Sequence, residues 1–201
     1  MDAASITMTA LATTIGTVLV TGFSHRLAVK RGWRDDERRH ARYLAIRLVC
    51  ILDEFVNGCL EVAYDSGEYD SQGYSQATVS SPSIAMPDDV ECKSIDSALM
   101  YQALSLPNQV ASADRSIAFY GGFVATPPDF SEYFEKRREC YCKLGLSAID
   151  LSDKLRVEFS IPNYEAVNSD WHPSEDFENV LAKLAALNAA HAIDPAELIP
   201  T

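Results

Sequence analysis

Apolar positions three and four residues apart recur along the chain in separate blocks. Ala41, Leu44, Leu48, Ile51, Leu52, Phe55, Cys59 and Val62 keep this spacing to about Tyr64, and they form the clearest amphipathic helix in the sequence. Asp35, Asp36 and Glu37 stand ahead of it as an acidic first turn. The spacing resumes at Ile95, Leu99 and Ala103, breaks or restarts at Pro107, and runs through Val110, Ala113, Ile117 and Tyr120 to Gly121-Gly122. Pro127-Pro128-Asp129 launch a long third block with Phe130, Tyr133, Phe134, Leu144, Ala148, Leu151 and Leu155, ended by Pro162. Arg137 falls on its inner face, which predicts a first half less buried than the second. Ser174 caps the last block, with Glu175 and Asp176 in its first turn. Phe177, Val180, Leu181, Leu184 and Leu187 form its stripe, and Pro195 closes it.

Residues 65–88 have no such period. They are rich in Ser, Gly, Tyr and acids and read as a long exposed loop, partly disordered. Tyr64, Tyr69 and Tyr74 are either anchors for a partner or part of a flexible connector.

The first 24 residues follow a different pattern. Ala3 to Ser24 carries no charge, and as a helix it would span roughly 30 Å, the thickness of a bilayer's hydrocarbon core. Arg26, Lys30, Arg31, Arg34, Arg38, Arg39 and Arg42 follow it, a positive flank that places the N-terminus outside and the body in the cytoplasm. A cleaved signal peptide fits poorly, because the basic residues come after the apolar run. Thr9, Thr13, Thr17 and Thr21 recur every four residues, with Ala12 and Gly16 beside them as a small-xxx-small pair. That ridge is a candidate helix–helix interface and a route to a homo-oligomer. Arg26, Lys30, Arg31 and Arg34 are candidate contacts to anionic lipid headgroups.

Charge adds one exclusion. Residues 1–50 hold 8 Lys/Arg against 4 Asp/Glu, while residues 51–201 hold 9 against 25. An acidic body of this kind repels phosphate backbones, so nucleic acid is not an expected partner. Five cysteines, Cys50, Cys59, Cys92, Cys140 and Cys142, show no CxxC pair and read as reduced, partly buried thiols.

Two stretches, HARYLAIRLVCILDEFV at 40–56 and KSIDSALMYQALSLPNQVASADRSIAFYG at 93–121, resemble short bacterial proteins with an N-terminal apolar helix, a basic stretch and a helical body. The resemblance covers about half the chain and implies no activity.

Motifs for chemistry are absent from the sequence. No glycine-rich run closes in Gly-Lys-Ser/Thr, and Gly121-Gly122 reads as a helix terminus or kink. The one Glu-x-x-His match, Glu37 to His40, lies among arginines that would repel a cation. His172, near Asp170, reads as a structural loop histidine ahead of a helix. No cofactor is expected.

The resulting expectation is an all-α chain: a transmembrane anchor at 1–24, a basic juxtamembrane stretch at 25–34, an acidic domain of four to five helices at 35–192, and a tail at 193–201. Its expected role is a membrane-anchored scaffold in the inner membrane that meets lipids and an unknown protein partner. The alternative is a soluble, cytoplasmic helical bundle, oligomeric or not, whose first helix packs in the core. An enzyme or membrane effector without a recognisable motif is the third reading.

Overall fold

The computed structural model describes residues 36–86, 95–163 and 172–192. The chain divides into two compact units, Met1–Tyr43 and Leu44–Thr201. Of the first, the described part is the helical stretch 36–43, where Arg39 pairs with Asp36 one turn away. The second is a helical body.

Four α-helices make up the described structure: α1 (36–64), α2 (Ser97–Phe119), α3 (Ser131–Phe159) and α4 (Pro173–Ala192). A π-helical turn, Tyr120–Val124, extends α2. A two-residue ladder pairs β1 (Glu68–Tyr69) antiparallel with β2 (Ser75–Gln76).

Within the second unit, α1 buries Leu44, Leu48, Leu52, Phe55, Cys59 and Val62, the stripe its spacing predicts. Ile51 is the exception; it is only half-buried. The α2 helix starts at Asp96, whose carboxylate accepts the Ala98 N–H at 2.9 Å. It passes through Pro107 without ending. An internal proline costs about 3 kcal/mol, and burial of Ala103, Leu106 and Val110 on both sides of it offsets that cost.

The central element is α3, which packs against both α2 and α4. It also joins α1, because Asp53 accepts from Ser152 at 3.1 Å and pairs with Arg156 at 2.5 Å. At Gly145 the approach of α4 is so close that a Cβ would stand 2.4 Å from the Phe177 ring. Phe177 is fully buried there, whereas Leu187, expected on the same stripe, is exposed. The α4 helix begins at Pro173, one residue before the expected cap.

Two expectations are corrected. No helix among the described residues is long and apolar enough to cross a membrane. Each sets a buried face against a largely polar one, so none offers the roughly 20 apolar residues a span needs. The transmembrane fold class, the inner-membrane placement and the membrane-anchored scaffold role fall with that finding. The uncharged run at 3–24 that suggested them lies outside the described residues. The alternative bundle reading fits better, since the first described helix supplies much of the core.

The second correction concerns Arg137. It does not loosen the first half of α3, because it is itself buried at 2% exposure, as Phe134 and Tyr141 on the same helix are.

Candidate functional site

The reason for that burial is Asp65, the first residue after α1. Arg137 Nη1 lies 2.7 Å from Asp65 Oδ2, and its Nη2 donates to the Val79 carbonyl at 2.6 Å. The Asp65 carboxylate also accepts from Gly67 N–H at 3.0 Å, the Thr78 hydroxyl at 2.8 Å and the Val79 N–H at 3.2 Å. Burial alone would raise this carboxyl. The donors from Gly67, Thr78 and Val79 outweigh it and hold the pKa at about 2. Among the described residues no buried side-chain polar atom is left without a partner. The cluster is therefore a closed clasp that fixes residues 65–79 onto α3, with no free valence for a ligand.

The segment expected as a loop continues from this clasp as an extended strap. In 80–86, Pro82, Ile84 and Met86 are half-buried and alternate with exposed Ser81, Ser83 and Ala85, the Ser81 hydroxyl bonding to Tyr141. Ile84 and Met86 pack on the core. Gly58 on α1 lets the strap close in, because a Cβ there would lie 2.7 Å from Pro82 Cβ. Between α1 and the strap runs a groove of about 570 Å³. Its floor includes Ile51 and Phe55, and its rim carries Glu54, Asn57 and Glu61 opposite Ser81 and Ser83. Neither glutamate has an ion-pair or hydrogen-bond partner among the described residues. The sequence from 48 to 92 contains nine acids and no Lys or Arg, so the groove lies in a wholly negative stretch.

A second surface stands at the connection between α2 and α3. The Phe119 and Phe123 rings lie 5.3 Å apart, and Phe119 meets Tyr120 edge-on at 6.2 Å. Phe123 is 82% exposed, Phe119 55% and Val124 41%. The turn is closed by Ala125 N–H on the Tyr120 carbonyl at 2.8 Å and by Thr126 N–H on Glu132 at 3.1 Å. The β1–β2 hairpin docks on the same connection. Ser75 N–H donates to the Pro128 carbonyl at 3.0 Å, Tyr69 to Asp129 at 2.7 Å, and Tyr74 packs on Phe130 at 6.2 Å. Tyr69 and Tyr74 thus keep exposed rings on an anchored hairpin, while Tyr64 donates to Asp176 on α4.

Three of the described thiols are not poised for chemistry, while Cys50 on α1 is exposed. Cys59 and Cys142 are fully buried, and burial drives both pKa values up, that of Cys142 to about 12. Burial raises the half-buried Cys140 as well. Thiols so shifted stay protonated and are poor nucleophiles at neutral pH. Tyr141 is buried and donates to Asp114 at 2.6 Å; both burial and that bond raise its pKa. His172 has a structural part, its carbonyl accepting the Glu175 N–H at 3.1 Å as α4 begins. No group of His, Cys, Asp and Glu among the described residues could hold a metal ion.

The expected interface residues Thr9, Ala12, Thr13, Gly16, Thr17 and Thr21 lie outside the described residues, as do Arg26, Lys30, Arg31 and Arg34. Membrane lipid as a partner is corrected with the transmembrane fold, since no described helix can cross a membrane. Sequence reasoning missed both the clasp and the groove. An arginine on an apolar face could have announced a buried acid, and the cation-free run from 48 to 92 could have announced the groove.

Comparison with known protein families, with characterised proteins and with solved structures returns no match.

Proposed function

We propose that the protein is a helical assembly module that pairs with a second copy of itself through the uncharged turn at the end of α2. One observation carries this reading. From Ile117 to Pro128 the chain holds no charged residue, and along that stretch Phe119, Phe123 and Val124 turn outward. Clustered exposed apolar side chains rimmed by polar residues mark interaction surfaces, and π-helical turns recur at functional sites.

Charge selects the occupant. Residues 51–201 hold 25 acids against 9 bases, so two bodies repel each other over most of their surfaces. The neutral turn is where they can meet without that repulsion, and a second copy presents the same neutral turn. A two-fold axis would set the Phe119–Phe123 pair of each protomer against that of its partner, an isologous contact. Buried aromatic rings contribute about 0.5–1.5 kcal/mol per pair beyond their area. The patch is small, so the pairing belongs with weak, concentration-dependent interfaces.

Sedimentation of the full chain over a concentration series tests the reading. The wild type should shift from monomer to dimer as concentration rises, and Phe123→Asp should stay monomeric with an unchanged melting curve. A wild type that remains monomeric throughout, or a Phe123→Asp variant that still dimerises, would overturn it.

A further inference from the structure

We infer that the groove between α1 and the strap binds an extended, basic polypeptide segment, whose Lys or Arg side chains reach Glu54 and Glu61 while apolar side chains on the same face settle against Ile51 and Pro82. The inference is independent of self-pairing, because the groove and the neutral turn share no residue.

The groove has the dimensions of a ligand site, about 570 Å³, within the usual range of a few hundred to a thousand cubic ångströms. One wall is an ordered helix. The other is the chain from Ser80 to Ala85, in which no backbone hydrogen bond reaches another described residue. Peptide groups left open along an extended wall suit a second extended chain, which can supply the missing donors and acceptors. Ser83 is exposed on the same wall, while the Ser81 hydroxyl is engaged by Tyr141.

The rim decides the charge of the occupant. Glu54 and Glu61 are seven residues apart on one helix, about 10 Å along its axis. An extended chain advances about 3.3 Å per residue and turns every second side chain to the same face, so cations four residues apart, about 13 Å, span that interval with their long stems and leave the residue midway on the same face. Neither glutamate is neutralised within the described structure, and the nearest Lys or Arg in sequence are Arg47 and Lys93. An anionic ligand would meet two free carboxylates, whereas a cationic one satisfies them. Half-buried Ile51 and Pro82 add apolar contact that a compact polyamine cannot use, so the occupant is a polypeptide with mixed basic and apolar character.

The test is fluorescence anisotropy of the full chain with a labelled peptide that carries arginine at every fourth position and leucine midway between, run beside a version with glutamate in place of arginine. The basic peptide should bind and the acidic one should not. Replacing Glu54 and Glu61 with Gln should weaken binding on the order of tenfold, since two exposed ion pairs together contribute about that factor. The double variant Glu158→Gln, Glu178→Gln removes the same charge from exposed positions outside the groove and should change the affinity by less than about twofold. Ile51→Ser should weaken the peptide while leaving spermine binding unchanged.

Three results would overturn the inference. Equal loss in the control pair would reduce the affinity to bulk charge. Spermine competing as well as the peptide would make the site one for small polycations. No binding of the basic peptide at low salt would leave the groove without its proposed occupant.

Discussion

Residues 65–79 and 80–86 follow one another in the chain, yet they are held in opposite ways. The first stretch is fixed by directed bonds: Asp65 gathers donors from Gly67, Thr78 and Val79, and Arg137 closes the cluster from α3. The second is held mainly by shape, with Pro82 against Gly58 and with Ile84 and Met86 on the core, and by a single side-chain bond between Ser81 and Tyr141. The acids differ in the same way. Asp65 is surrounded by donors and has no capacity left, so it is architecture. Glu54 and Glu61 line the groove and accept no bond from a described residue, so their charge is available to something outside the chain. A carboxylate's role here is read from how many donors the fold gives it, and burial runs in parallel: Asp65 is buried, whereas Glu54 and Glu61 are exposed.

The largest expected effect comes from opening the clasp. Arg137→Ala leaves a buried carboxylate without its counter-ion, a change that costs about 3–5 kcal/mol in other buried pairs. The melting temperature should fall on the order of 10 °C with helix content retained, by circular dichroism. Pro82→Ala removes shape complementarity from the strap and should cost less than about 1 kcal/mol. Equal losses in the two variants would erase the contrast between the stretches.

Acid is a milder way to open the same clasp. The Asp65 carboxyl is held at about 2, below the roughly 3.9 of an unfolded aspartate. Its contribution is therefore complete above about pH 4 and is lost as the pH falls through 2. The shift corresponds to about 2 kcal/mol. Thermal melts from pH 5 down to pH 2 should show that loss in the wild type, and Asp65→Asn should flatten it by the same amount. A slope unchanged by Asp65→Asn would place the acid sensitivity elsewhere.

The contrast also explains how much was legible in the sequence. The helices were legible, because burying one face of a helix leaves a periodic trace: Leu44, Leu48, Leu52 and Phe55 announce α1, and Leu144, Ala148, Leu151 and Leu155 announce the second half of α3. Pro107 misled, since local preference predicts a break that packing at Ala103 and Leu106 overrides. Arg137 misled for a related reason. Its burial depends on Asp65, 72 residues earlier, and periodicity within a helix carries no information about a partner so distant. The segment 65–86 reads as loop because its order comes from side-chain donors, Gly58 and apolar contacts with other elements, none of which leaves a period. The N-terminal run misled about the fold class because an uncharged stretch with a basic flank has the composition of a span without fixing what it packs on.

The smallest expected effect is the most discriminating for the groove. If Glu54 and Glu61 serve an external partner, the fold does not need their charge. Seven residues on a helix place them about 10 Å apart, close to one Debye length at 0.1 M salt, so their mutual repulsion is slight. Both are exposed, and neither has an ion-pair or hydrogen-bond partner among the described residues. Glu54→Gln and Glu61→Gln, singly and together, should therefore change stability by no more than about 0.5 kcal/mol. Any change should be toward greater stability, because two negative charges leave a stretch that already holds nine acids and no base. Melting curves at low and high salt read this directly. The variants should match the wild type at high salt and equal or exceed it at low salt. A loss of 2 kcal/mol or more would mean that these carboxylates brace the strap as Asp65 braces the hairpin, and the distinction between the two stretches would no longer hold.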